Sequence, residues 1–512
     1  MFKRLLTVSG FTALSRLAGF VSSVVAAYVM GAGMVSDAFW VASRLPNSFR
    51  NIFGEGAFNA AFLPRFTKIN SQEGPEAAAE FADDVYSWQI AAQLVILIVA
   101  MIAMRYVIAA LAFGFGAHPG ELDLATTFGR ICFPYLIMTV SSVQLSAMLN
   151  AVGKFAAAAA WSILLNVAMI ATLLAAHWFP NAGYAASWGV FLGGAMQLGF
   201  IAWAAARSHL RLHIRFPRWT PRVKEFLFAL GAATVGSASV QINLFIDTMI
   251  SSILPAGVLT AITYADRINQ LPLGVLGIAL ATVLLPEMSR RLALGDEAGA
   301  HAAQNRSAAT GLFLTLPFAA AFLIVPQTIM RGIFVHGAFH VDAADISAFA
   351  LAGYGVGLPA FVLVRVLTST FYARHDTATP VRATWLAVAV NVGFKVLLVF
   401  GFHLGALGVA LGTSFGSWAN VCMLFYLSRR RGLLVVDDTF RRSLLPSFLG
   451  AAATGGLALV GALYAFSLFP TECVWQREAA LAFAIAFAAV GYGSVTLLFR
   501  HRLPLGRITG RR

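Results

Sequence analysis

The sequence predicts an all-α polytopic membrane protein with 14 transmembrane helices: two parallel six-helix repeats followed by two extra C-terminal helices. Three observations predict it. The chain of 512 residues is 59% hydrophobic and 11% charged, with a mean hydropathy of +0.77. A soluble domain carries roughly 25% charged residues, so the solvent of this surface is lipid. Apolar segments of about 20 residues, the length that spans a bilayer, recur along the whole chain. The two halves also repeat one another.

The first six segments lie near 5–30, 37–63, 86–113, 126–150, 155–177 and 182–205. The second six lie near 223–251, 258–288, 307–327, 344–372, 380–401 and 405–428, with a bend expected at Pro272. Two more follow, near 443–468 and 478–499. The organisation is therefore an N-lobe over 1–206, a basic linker over 207–222, a C-lobe over 223–430, and a last helix pair with a basic tail over 441–512. The basic opening MFKRLLTVSG is interrupted at Arg16 and continues past Gly31 without a clear cleavage site, so it reads as a retained first helix.

Charge asymmetry orients these segments. One set of connections holds Lys3 and Arg4, Arg65 and Lys68, the cluster Arg207 to Lys224, Arg290, Arg291 and Arg306, Arg374, Arg429 to Arg431, Arg441 and Arg442, and the tail from Arg500. The alternate set holds Arg331 and Arg477 and little else that is basic. By the positive-inside rule the basic side is cytoplasmic, with both termini on it. The net charge of +14 is then a membrane-surface property and needs no nucleic acid. Cys132, Cys422 and Cys473 lie too far apart in sequence to suggest a disulfide framework or a zinc site.

The repeat is read from paired residues at a steady offset. Arg44-Leu-Pro resembles the block at Arg267, an offset of 223, and Leu63-Pro64 matches Leu285-Pro286 at 222. Gly116-Ala117 matches Gly337-Ala338 at 221, while Pro134 with Pro359 and Asn166 with Asn391 lie at 225. Six helices per copy is an even number, so both copies enter from the same side, the arrangement of transporters with parallel repeats.

Inside these segments stand charges that a lipid-facing helix does not tolerate, since one at mid-bilayer costs about 2.5–3.5 kcal/mol on insertion scales. Residues 43–66 read SRLPNSFRNIFGEGAFNAAFLPRF. On an ideal helix Asp37, Arg44, Asn47, Asn51, Glu55 and Asn59 fall in one stripe about 120° wide, suited to a wet cavity. Arg50 lies about 120° off that stripe and needs another neighbour. Ser9, Thr12, Arg16, Gly19 and Ser23 form a weaker stripe on the first segment; Asp266, Arg267 and Arg365 are the second lobe's intramembrane charges. Arg16, Arg44, Arg50 and Arg267 outnumber Asp37, Glu55 and Asp266, and Arg365 adds to the surplus. Arginine's planar fork of donors suits phosphate and carboxylate, so the cavity is expected to take an anionic substrate. The bland alternative is a set of internal salt bridges.

The run GAGMVSDAFWVASRLPNSFRNIFGEGAFNAAFLPRF, the block YADRINQLPLGVLGIALATVLLPEMS and the weaker RGIFVHGAF resemble the MurJ (MviN) lipid II flippases of the multidrug/oligosaccharidyl-lipid/polysaccharide exporter superfamily. The resemblance spans the chain. It implies a flippase, not an enzyme, that moves undecaprenyl-diphosphate-linked disaccharide-pentapeptide to the outer leaflet of the cytoplasmic membrane by alternating access. The lack of a GxxxxGK phosphate loop agrees with such a mechanism. The resemblance places Arg16, Arg44, Arg50 and Arg267 among the cavity arginines, with Asp37, Glu55 and Asp266 as acidic partners. It also implies a groove for the polyprenyl tail along the last two helices. Ser22-Ser23 departs from the Arg-Asp common in relatives.

Some members of that family hold sodium between the seventh, eleventh and twelfth spans. Asp247 and Asn391 match two of the ligands, but Lys395 stands where an acidic one is expected, one turn from Asn391. The expectation is that the Lys395 ammonium replaces the cation and pairs with Asp247; the alternative is that it snorkels to the interface. No cofactor is expected, and membrane potential or ions are candidate drives. The expected partners are lipid II, the bilayer and peptidoglycan synthases, with the chain a monomer. His336, His340 and Asp342 make a weak metal candidate, the linker RLHIRFPRWTPRVK suits an anionic leaflet surface, and Gly401, Gly405, Gly408 and Gly412 read as close-packing sites.

Overall fold

The computed structural model describes residues 2–51, 57–274, 278–470, 473 and 475–501. Among these the secondary structure is helical throughout, as lipid demands: a helix satisfies its own backbone groups where no water can. The chain packs as two compact units, Met1–Gly257 and Val258–Arg512.

The first unit contains α1 (Phe2–Met30), α2 (Met34–Arg50), α3 (Ala57–Gln72), α4 (Pro75–Leu111), α5 (Pro119–Cys132), α6 (Tyr135–Ala151), α7 (Phe155–Ala160), α8 (Ile163–Leu174), α9 (Ala182–Ala206) and α10 (Pro221–Ser251). The segment expected at 126–150 is two helices that meet at Phe133-Pro134, and that at 155–177 is split at Trp161-Ser162. Helix α4 begins at Pro75, well before the apolar run; 37 residues make it roughly 55 Å long, so its first turns stand outside a hydrocarbon core of about 30 Å. Those turns are acidic and hold the linker. Buried Asp83 accepts from the His213 backbone N–H at 2.9 Å and pairs with Arg215 at 3.0 Å. Ser87 accepts from the Arg215 N–H, and the Trp88 indole donates to the Arg218 carbonyl at 2.8 Å. Ile214, Phe216 and Trp219 of the linker remain exposed.

Helix α10 starts at Thr220, whose hydroxyl caps the Val223 N–H, with Pro221 in the first turn where its missing donor does no harm. By repeat this helix belongs to the C-lobe, yet it packs in the first unit. The reason is aromatic: Phe226 meets Phe58, Phe62 and Phe81 edge-on, with ring centroids 5.6, 6.3 and 6.4 Å away. At the other end of α10, the Gly114 N–H donates to Ser252 Oγ at 3.2 Å.

The second unit contains α11 (Val258–Pro272), α12 (Ile278–Ala293), α13 (Glu297–Ile324), α14 (Pro326–Phe334), α15 (Val341–Tyr372), α16 (Ala378–Val396), α17 (Gly405–Arg430), α18 (Asp438–Leu468) and α19 (Gln476–Leu498). Helix α11 ends at Pro272, where the bend was expected, whereas α15 runs straight through Pro359, the counterpart of Pro134. Short α14 was not foreseen. A π turn over Leu397–Gly401 ends α16.

Among the described residues nine stretches are long and apolar enough to cross a membrane, with α5 and α6 together making one of them over Gly120–Ala151. The segments predicted at 5–30, 37–63, 155–177, 223–251 and 258–288 fall on helices outside that set.

Small residues set the closest approaches. A Cβ on Gly357 would lie 2.4 Å from Ser414 Oγ, and on Gly353 2.8 Å from the Ala410 Cβ, so α15 and α17 touch nearly backbone to backbone. Of the glycines singled out above, Gly408 abuts Leu398 and Gly412 abuts Lys395; Gly416, not singled out, abuts Asn391 and the Ala387 carbonyl. Gly416→Val is therefore expected to cost about 1–3 kcal/mol by overpacking. Gly393→Ala, on the same pair of helices with nothing within 4 Å, should leave stability unchanged. Thermal unfolding in detergent separates the two.

The basic end of this unit is stapled by ion pairs. Glu287 pairs with Arg291 and Arg306, Glu297 with Arg374, and Asp376 with Arg431 at 2.8 Å. Asp376 also accepts from the Thr379 hydroxyl at 2.6 Å and its N–H at 3.0 Å, and these bonds to Thr379, ahead of Arg431, hold its carboxyl below the ordinary 3.8. A depressed folded-state pKa contributes stability above the unfolded value that is lost as pH falls through the folded one. Asp376→Asn should accordingly lower the melting temperature at pH 7, and the gap to the parent should close as pH is taken below about 3.8. A gap independent of pH would show the carboxylate charge to be immaterial.

Candidate functional site

The first unit holds four of the five predicted cavity charges that come from its sequence, and it treats them differently. Arg16 is exposed near the middle of α1. Arg44 and Asn47, one turn apart on α2, are half-buried. Arg50 ends α2, half-buried, and its Nη1 lies 3.5 Å from the Tyr135 hydroxyl, which also accepts from Thr139. That tyrosine, at the first turn of α6, is a neighbour of the kind its off-stripe position required. Glu55 lies outside the described residues.

Asp37 has a structural task. It is buried, and its Oδ2 accepts from the Gly257 backbone N–H at 2.6 Å. Gly257 adopts φ +92°, and a side chain there would press on Ala32 at 3.2 Å, so only glycine meets this carboxylate without strain. Asp37 thereby fixes the end of the loop that follows α10. Sequence reasoning passed over Glu121, another buried carboxylate, on the first turn of α5.

The weaker stripe on α1 is divided by packing. Gly19 faces Asn166 of α8, whose Nδ2 donates to the Ser15 carbonyl at 3.4 Å, and Ser15 takes a further bond from Ser162. Ser22 and Ser23 are both buried, and Ser23 donates to the Gly19 carbonyl. Arg16 stays exposed beside them.

In the second unit Asp266 is half-buried and Arg267 exposed, on adjacent positions of α11. Gln270, one turn on, donates to the Asp266 carboxylate. Arg365 is exposed on α15, against which α11 packs. Both arginines are exposed, Arg267 in the second half of α11 and Arg365 in the last third of α15. A guanidinium open to acyl chains is costly, so an exposed position on a membrane helix favours contact with water.

Lys395 is fully buried on the last turn of α16, its Cγ against α17 at Gly412, and Asn391 is buried one turn earlier. A side chain with no exposure does not snorkel, which removes that alternative. Asp247 sits half-buried on α10. His336 does not gather with His340 and Asp342; its Nε2 lies 2.6 Å from Glu478 of α19. Among the described residues no three His, Cys, Asp or Glu side chains form a group that could hold a metal ion. The bidentate pair of Arg331 with Asp345 closes the same end.

The family profile described as lipid II flippase MurJ matches residues 26–477. A probable lipid II flippase MurJ of Rhizobium meliloti (strain 1021) is 39% identical over 505 residues, covering 97% of this chain and 93% of its own. Among solved structures, the inward closed conformation of a lipid II flippase MurJ superposes with a TM-score of 0.78 at 21% identity, over 96% of this chain and 99% of that one. An inward-facing multidrug resistance MATE transporter of the MOP superfamily gives 0.69 at 17% identity, over 82% and 99%. The last two speak for the fold. The profile and the Rhizobium meliloti relative, with the helical architecture, show that this chain is a multi-pass membrane protein that belongs to the MurJ lipid II flippase family.

Proposed function

We propose that this chain flips the lipid-linked peptidoglycan precursor, undecaprenyl-diphosphate-disaccharide-pentapeptide, from the inner to the outer leaflet of the cytoplasmic membrane by alternating access. The observation that carries the reading is the set of arginines exposed or half-buried within spanning helices, Arg16, Arg44, Arg50, Arg267 and Arg365, in a chain of this family. Arg16, Arg44, Arg50 and Arg267, with Arg365, engage the diphosphate and peptide carboxylates, each guanidinium offering two parallel donors to an anion. Asn47 adds a neutral donor, and Glu55 and Asp266 are the acidic partners of the arginines, while Asp37 is taken up by the Gly257 N–H. The basic connections and both termini face the cytoplasm. The protein works as a monomer and hands its product to synthases on the far side. The same surface would suit another lipid-linked anionic glycan, and the test below separates the two.

The reading is tested by depleting the resident flippase of a bacterium, expressing this chain, and measuring lipid II accessible in the outer leaflet. Access should be restored by the parent and fall with Arg267→Ala or Arg16→Ala. A lost hydrogen-bonded charge of about 1.5–3 kcal/mol corresponds to roughly 10- to 100-fold weaker binding. Normal membrane insertion with no access would assign a different lipid-linked substrate; full access with both alanine variants would remove the arginines from the binding surface.

The ion site is read in the same way. The Lys395 ammonium takes the place of a bound cation, with Asp247 as its counter-charge and Asn391 beside it. A buried ammonium without a counter-charge would be costly, which supports this assignment. Parent activity should be indifferent to sodium, while Lys395→Ala should become sodium-dependent. Equal activity of that variant with and without sodium would defeat the replacement.

A further inference from the structure

Within the first unit, α4 and α10 line with α2, α3 and α6 a partly open cavity of about 230 Å³. Its walls are Phe49, Phe58, Val140, Phe226, Leu230 and other apolar side chains, and among the described residues no charged one lines it. For scale, an apolar cavity of roughly 150 Å³ takes up benzene. Two side chains break the pattern. Gln89 and Gln93, one turn apart on α4, both line the cavity. Gln93 is 6% exposed, and its amide oxygen has no hydrogen-bond partner among the described residues; neither amide atom of Gln89 has one. Among the described lining residues the one other polar side chain, Trp88, already donates its indole N–H to the Arg218 carbonyl.

Buried amides are ordinarily hydrogen-bonded, so this pair marks a place where the bonding partner comes from outside the chain. The three open atoms are two acceptors and one donor. A saturated hydrocarbon meets none of them, and an ester carbonyl meets only the donor. A hydroxyl both donates and accepts, whichever way the amides are turned. The remaining walls ask for hydrocarbon, and no described lining side chain offers an ionic head a counter-charge. The route is through the bilayer: the neighbouring face of α4 exposes Leu94, Val95, Ile98, Val99 and Ile102, the surface of a lipid-facing helix.

We propose that this cavity binds a neutral membrane lipid with a free hydroxyl, such as a long-chain alcohol or a diacylglycerol. The hydroxyl sits between Gln89 and Gln93 and the hydrocarbon lies against Phe58, Val140 and Phe226. The site uses none of the arginines assigned to the anionic substrate and does not depend on that assignment.

The test uses the full chain in phosphatidylcholine nanodiscs with a diazirine-bearing long-chain alcohol as photoprobe, followed by peptide mapping and competition with decanol or decane. Labelling is expected on peptides of α4, α6 and α10 that carry the lining residues, with decanol competing at least ten times better than decane. Gln89→Leu with Gln93→Leu should erase that preference; Gln93→Met alone, nearly isosteric, serves if the double variant does not fold. Equal competition by decane in the parent would show that the hydroxyl is not read and would overturn the proposal. Labels confined to the lipid-facing residues from Leu94 to Ile102 would mean partition onto the surface only and would overturn it equally.

Discussion

A charge inside a membrane span must be met by a partner or by water, and the placement of most polar residues here follows from that single constraint. Where a partner is at hand the charge is buried and becomes structure: Asp37 takes the Gly257 N–H, and Asp83 gathers the linker onto the first turns of α4. Arg16, Arg267 and Arg365 stay exposed on their helices, a placement that water favours and acyl chains do not. The two groups look alike in sequence, since both are ionisable residues in or beside apolar runs. Burial and geometry divide them.

Much of the fold was legible because lipid forces it. Apolar runs of spanning length gave the order of the helices, and α16, α17, α18 and α19 lie close to the expected bounds. The misses have local causes. Hydropathy sees neither the break at Phe133-Pro134 nor that at Trp161-Ser162, because the residues around them are as apolar as a helix interior. It also truncates α4, whose first turns are acidic. Proline is a poor guide by itself: Pro134 caps a new helix, while Pro359, at the matching place in the repeat, sits inside an unbroken one, where packing of α15 on α17 through Gly353 and Gly357 holds the axis.

The candidate site was legible as a set of residues and much less so as a division of labour. Helical phasing placed Asp37 and Arg44 on one stripe, and α2 indeed begins before Asp37 and ends at Arg50. Phasing also separated Arg50 from that stripe, and Tyr135 stands beside it. What phasing cannot carry is long-range contact. The partner of Asp37 is 220 residues away in the chain, and the partner of Arg50 is on a helix whose own sequence announces nothing. Gln89 and Gln93 could have been noticed at helical spacing inside an apolar run, a pattern as improbable in lipid as a charge.

Fixing a cation by a covalent bond changes what can drive a transporter. A bound sodium ion enters and leaves with each cycle and so ties transport to its gradient; an ammonium carried on Lys395 never leaves. If it takes the cation's place, as proposed above, the conformations on either side of the cycle keep the same charge at that position, and the sodium gradient drops out as a source of work. The remaining source is the field acting on charges that move. Each elementary charge carried across 100 mV is worth about 2.3 kcal/mol, so even partial displacement of a few of the spanning arginines with their anionic load exceeds thermal energy severalfold. On that reading, the arginines that hold the substrate and the lysine that stands in for an ion are two parts of one arrangement. The first set would move charge in the field, and the second would free the protein from carrying an ion to do so.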